Sequence, residues 1–306
     1  MANPLPLLPD FLLILLGFVI CRGTALDRPI WEAAEKLVYF FLFPVLLFTS
    51  ILKSPLQPAQ TLSLVLAGVG TVAIGIVVAL AIGRWPGVDR RLHASGAQVA
   101  YRFNSYIALA LAERLQGAQG LAWVALLIAL SVPLANVAAV WPLARHGGHS
   151  YGRELVRNPL IISTALGLVG NALGLQLPET FATVLQRIGG AALPLGLMAV
   201  GAGLTVDGVR AAPGLATTLL AIRHVLLPAI AIGLTFALHL GPGQSVVVVL
   251  FAALPTASST YVLAARMGGD GAFVAGLVTV STLLGMVSIP LWLAVLAVLA
   301  VVTGAR

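Results

Sequence analysis

The chain has 306 residues, of which 59% are hydrophobic and only 9% charged, with a mean hydropathy of +1.03 and a formal charge of +7. Soluble domains carry about 25% charge, so a soluble fold is excluded and an all-α integral membrane protein is expected. The basic residues lie between apolar runs, away from aromatic clusters, which excludes a nucleic-acid surface, and the lone Cys21 excludes an internal disulfide or a cysteine-built metal centre.

A membrane span needs about 20 apolar residues. Ten runs are candidates: residues 5–20, 31–52, 61–82, 94–115, 120–144, 158–175, 181–204, 215–240, 245–267 and 271–302. The first charge is Asp10, so no basic leader precedes run one, which is read as a retained helix. Run four is the weakest, since it carries Arg102, Asn104, Glu113 and Arg114. The longest polar connection divides the chain into residues 1–145, a cytoplasmic linker over 146–157, and residues 158–306.

The two halves repeat. Leu16-Gly17-Phe18-Val19 matches Leu166-Gly167-Leu168-Val169, and Phe43-Pro44 matches Leu193-Pro194, both 150 residues on. Ala73-Ile74-Gly75 matches Ala231-Ile232-Gly233 at 158, and Arg114-Leu-Gln-Gly117 matches Arg266-Met-Gly-Gly269 at 152. Five spans are an odd number, so the second copy is expected upside down, as in many transporters. Chance similarity between apolar helices is the alternative. One face, counting its loops and the adjoining parts of the runs, carries eleven basic residues and the other four. Basic loops stay in the cytoplasm, so both termini are expected outside the cell membrane.

Run nine holds Leu254-Pro-Thr-Ala-Ser-Ser-Thr-Tyr-Val-Leu263. Pro255 removes a backbone donor in mid-span, and Thr256, Ser258, Ser259 and Thr260 follow. Loosened backbone survives in hydrocarbon only where protein or a watery cavity covers it, and transporters hold cargo at such breaks. The offset of 152 sets Asn104 against Thr256 and Phe103 against Pro255, so the polar stretch Arg102-Phe103-Asn104-Ser105 meets the proline. Half-helix N-termini there would present partial positive charge to an anion. Hydroxyls bonding their own helix, or Asn104 bonding a neighbouring helix, would also account for these residues.

Arg102 and Arg223 each lie about 12 Å into a span, where unpaired charge is a functional candidate or snorkels to the headgroups. No acidic residue stands in mid-span, which favours an anionic ligand and argues against a sodium or metal cage. His224 could carry a proton. The expected substrate site is therefore Arg102, Asn104, Ser105, Pro255, Thr256, Ser258, Ser259 and Arg223, with no metal and no other cofactor. An enzyme is not expected: Asp270 stands alone at a span end, His224 is the only mid-span histidine, and no Gly-x-x-x-x-Gly-Lys-Ser/Thr loop exists.

Several motifs together resemble the auxin efflux carrier family, within the bile acid–auxin transporter superfamily. They are the run from Pro6 to Phe18, Lys36-Leu-Val-Tyr-Phe-Phe-Leu-Phe-Pro44, Asn158-Pro-Leu-Ile161, Leu193-Pro-Leu-Gly-Leu-Met198, Val200-Gly-Ala-Gly-Leu204 and the stretch from Leu254 to Leu263. The resemblance implies ten transmembrane helices in two inverted five-helix repeats, with helices four and nine broken and crossing near Asn104 and Pro255. It also implies an elevator-like core of spans three to five and eight to ten. Spans one, two, six and seven would form the scaffold, through which a homodimer would form. Run four departs from the plant carriers in lacking a proline near Asn104, and the short central loop points to a bacterial-type permease of an inner membrane. The expected function is secondary transport of a small organic anion such as a carboxylate; the alternative is a sodium-coupled carrier of the bile-acid type.

Overall fold

The protein is described by a computed structural model covering residues 8–52, 58–144, 159–204, 209–257 and 259–302. Among these residues the regular elements are helices, and no strand occurs. In chain order they are α1 (Leu8–Gly23), α2 (Arg28–Leu37), α3 (Phe43–Leu52), α4 (Pro58–Ile82), α5 (Arg90–Gly96), α6 (Ser105–Ala144), α7 (Pro159–Ala172), α8 (Glu179–Gly190), α9 (Ala192–Ala202), α10 (Pro213–Ala221), α11 (Leu227–Ala237), α12 (Pro242–Ala253), α13 (Ser259–Arg266) and α14 (Gly271–Val302). The expected linker over 146–157 and both chain ends lie outside the described residues.

Proline shapes several of these elements. Prolines near the first position open α2, α10 and α12, where the missing amide costs nothing. Within longer helices the same deficit forces a detour. Pro44 and Pro228 cannot donate to the carbonyls of Phe40 and His224, four residues back. A π turn lies just before each of them, Val38–Leu42 joining α2 to α3 and Ile222–Leu226 joining α10 to α11. Gly117 adopts φ +60° inside α6 and turns the chain there, so α6 is two helices in sequence; Gly268 makes a comparable turn after α13 at φ +74°.

Five stretches are long and apolar enough to cross a membrane by length and composition: Thr61–Ile82, Arg90–Ala139, Glu179–Ala202, Pro213–Ala237 and Gly271–Val302. Shorter apolar helices occupy Phe11–Gly23, Ile162–Ala172 and Pro242–Ala253, overlapping runs one, six and nine. Large apolar side chains including Val77, Leu173, Phe181, Val287 and Val302 stand exposed. That is an outer face suited to hydrocarbon, since monomeric soluble proteins rarely expose broad apolar patches.

The helices pack in two groups. α1 lies along α9, and α3 lies against α7 and α8. The other group joins α4, α6, α11, α12 and α14, with α13 packed on α14. Its centre is apolar: Leu109, Leu111, Leu127, Val248 and Leu250 are completely buried. α6 touches both groups, and its Tyr106 ring stacks on Phe43 of α3 at a centroid distance of 4.8 Å.

Candidate functional site

Two interruptions meet inside the second group. Residues 101–104 leave the helical path before α6, and residues 254–257 leave it between α12 and α13. The amide of Asn104 donates to the carbonyl of Pro255 at 2.9 Å, so the two breaks touch backbone to backbone. The rings of Phe103 and Phe251 lie beside this contact, 4.4 Å apart between centroids.

Each break has its own cause. Pro255 has no amide, so the carbonyl of Phe251, four residues back, loses its helical partner. Arg223 supplies the replacement: its Nη2 donates to Phe251 O at 3.3 Å and its Nε to Leu254 O. The first break needs no proline. Asn104 Oδ1 accepts from the amides of Tyr106 and Ile107 at 3.0 and 3.2 Å, which caps the start of α6. Asn104 is 3% exposed, and with its Oδ1 committed to the cap, Nδ2 is the end left to serve a ligand.

Arg102 lies at the mouth of the crossing and is partly exposed. Its Nη1 donates to Gln98 Oε1 at 3.0 Å and its Nη2 to Ser259 Oγ at 3.2 Å, tying the first break to the start of α13. Among the described residues no carboxylate lies within ion-pair distance of it. Ser259 is exposed and Ser105 half-buried. The hydroxyls of Thr256 and Thr260 are buried and have no partner among the described residues. Ser258 falls outside the described residues.

The structure thus brings Arg102, Asn104, Pro255, Thr256 and Ser259 together, with Ser105 beside Asn104. Arg223, fully buried, reaches the group only through main-chain carbonyls. Two participants escaped the sequence reading. Gln98 is fully buried, holds Arg102, and is anchored in turn by donation from its Nε2 to Ser95 O at 3.0 Å. Its spacing of four residues before Arg102 is the signal that could have found it. Ser281 on α14 accepts the Thr256 amide at 3.0 Å, and nothing in the sequence marks it. Among the described residues no cluster of three or more His, Cys, Asp or Glu could hold a metal ion.

Residues 139–293 match the family model described as membrane transport protein. The chain is 26% identical over 302 residues to an "Uncharacterized transporter" of Methanothermobacter thermautotrophicus, covering 97% of this chain and 99% of that one. It is 25% identical over 300 residues to a "Putative malonate transporter" of Rhizobium meliloti, covering 92% of each.

Proposed function

We propose, from the premise that the chain belongs to the membrane transport protein family, that it is a secondary transporter of small organic carboxylates. The family and both relatives are transporters and not enzymes. The observation that carries the substrate class is Arg102, a cation at the mouth of the crossing with no carboxylate partner among the described residues. A guanidinium held by neutral oxygens keeps N–H groups to offer a planar anion, and its fork matches a carboxylate.

The two half-helix starts are not equivalent. Asn104 already caps α6, whereas Ser259 and Arg102 stand at the start of α13. Helix N-termini favour anions, so the carboxylate is assigned to the α13 side, with Ser105, Thr256, Ser258, Ser259 and Asn104 Nδ2 around it. Arg223 adds positive potential from behind. Malonate, the ligand in the name of one relative, is the first substrate to test.

The wider reading is ten spans in two inverted repeats, both termini outside the inner membrane. The group of α4, α6 and α10 to α14 slides as an elevator against a scaffold of α1 to α3 and α7 to α9. The packing of the helices into these two groups, with α6 at their boundary, supports it. Protein in liposomes should accumulate labelled malonate or another small carboxylate, and Arg102→Gln and Asn104→Ala should each reduce uptake. Uptake unchanged in both removes the site; no uptake from a broad carboxylate panel removes the substrate class.

A further inference from the structure

The carbonyl of Pro255 and the amide of Thr256 belong to one peptide unit, and both ends of that unit are held. Asn104 donates to the carbonyl at 2.9 Å, and the amide donates to Ser281 Oγ at 3.0 Å. Ser281 Oγ lies 2.8 Å from His224 Nε2, and His224 Nδ1 lies 2.9 Å from Ser288 Oγ. One chain of hydrogen bonds therefore crosses from the first break through the second to α14 and the π turn before α11.

Its direction follows from where the serine hydrogens can go. A hydroxyl has one hydrogen to give. Thr279 and Thr282 on the same helix donate theirs to carbonyls four residues back, Ala275 O and Val278 O. Ser281 makes no such bond; among the described residues its contacts are Thr256 N and His224 Nε2. The amide can only donate, and Ser281 is completely buried whereas Ser288 keeps 9% exposure for its own hydrogen, so the Ser281 hydrogen is assigned to Nε2, which is then bare. Nδ1 then carries the proton and donates to Ser288. Every donor in the chain points the same way, an arrangement in which each bond polarises the next. The ring is fixed from behind as well: the His224 carbonyl, which Pro228 cannot serve, accepts from Trp292 Nε1 at 2.7 Å.

We infer that His224 is held neutral as the Nδ1–H tautomer, and that Ser281 and His224 are positioning residues that set the 255–256 peptide and, through it, the Asn104 end of the substrate site. An imidazolium at His224 would strand the Ser281 hydrogen. This deepens the carboxylate reading and rests on it for its effect on affinity, although the tautomer and the peptide clamp stand independently.

The test uses the full chain in nanodiscs with three readouts: 15N spectra of labelled histidine, with His224 assigned by its loss in His224→Asn; hydrogen exchange at the Asn104 amide; and equilibrium binding of labelled malonate. Wild type should show a bare Nε2 and a protonated Nδ1. Ser281→Ala should disturb that pattern, speed Asn104 exchange at least about tenfold, and weaken malonate binding about tenfold, the scale of one lost hydrogen bond. Ser281→Thr, which keeps the hydroxyl, should restore all three, and Ser281→Cys, a poorer acceptor, replaces the alanine variant should that fail to fold. A protonated Nε2 in wild type, or Asn104 exchange or malonate affinity unchanged in Ser281→Ala, overturns the inference. Should wild type bind no malonate, the choice of malonate as substrate fails, while the spectrum and the exchange still decide this one.

Discussion

Gly17 presses against the main-chain carbonyl of Met198 with no room for a Cβ between them. The relationship recurs 150 residues away with the partners exchanged: a Cβ on Gly167 would stand 3.2 Å from the carbonyl of Phe48. An inverted duplication demands contacts of this reciprocal kind, and the pair supports that reading. Backbone cannot retreat as a flexible side chain can, so Gly17→Ala should cost about 1–3 kcal/mol, the usual scale of overpacking. Gly233, in α11, meets nothing within 4 Å of its would-be Cβ. Gly233→Ala should therefore leave stability unchanged or raise it by up to about 1 kcal/mol through helix propensity. Thermal unfolding in one detergent compares the two; equal midpoints would refute the tight crossing.

Asn104 performs two tasks that substitution can separate. Its Oδ1 caps α6 and its Nδ2 is available to a ligand. Asn104→Asp keeps the capping oxygen and replaces the ligand-facing donor with an acceptor that repels an anion. Asn104→Ala loses both, with a capping cost of about 1 kcal/mol. The aspartate variant should melt near wild type and yet fail to bind malonate, whereas alanine should lose on both counts. Malonate binding by Asn104→Asp at wild-type affinity would remove Asn104 from the ligand shell.

How much of this could be read beforehand depended on the distance over which a cause acts. Pro255 announces its own break, because a missing amide is a property of one residue. The break before Asn104 contains no proline, and the repeat offset and the family resemblance pointed to it; its cause, a side chain capping two amides of the next helical turn, became visible with the geometry. Arg223 was legible as a buried charge in need of partners, but not as the partner of the Phe251 and Leu254 carbonyls at the Pro255 break. Ser281 was illegible, since a serine in an apolar helix ordinarily bonds its own backbone and only proximity to Thr256 and His224 distinguishes it.

The two intramembrane arginines should respond differently. Arg223 is fully buried and serves the carbonyls of Phe251 and Leu254. Arg223→Met should strand both, at about 1–3 kcal/mol for each unsatisfied acceptor. Lysine should rescue poorly, because a point charge lacks the fork that reaches two carbonyls. Arg102 is partly exposed and bonds only Gln98 and Ser259 among the described residues. Arg102→Gln should cost about 1 kcal/mol or less in stability and reduce malonate uptake at least about tenfold. Parallel melting and liposome uptake would show the split, and equal losses in both measurements for both variants would contradict it.

The last prediction concerns motion. Arg28, at the start of α2, forms ion pairs with Glu32 and Glu35 at 3.3 and 3.1 Å, and its Nη2 lies 3.4 Å from the hydroxyl of Tyr261 on α13. Arg28 and Tyr261 lie on opposite sides of the boundary across which an elevator would slide, so this contact would have to break in each cycle. The ion pairs stay within α2 and would survive the stroke. Removing only the hydroxyl, by Tyr261→Phe, leaves Arg28 with its carboxylates and takes away one link worth about 0.5–1.5 kcal/mol. If the conformation seen here is the resting one, its loss should raise the rate of malonate exchange between about two- and tenfold. Equilibrium affinity should change little, because Tyr261 is not assigned to the ligand. A variant with wild-type exchange kinetics would mean that the boundary does not open at this contact, and a variant with altered affinity alone would place Tyr261 in the substrate site instead.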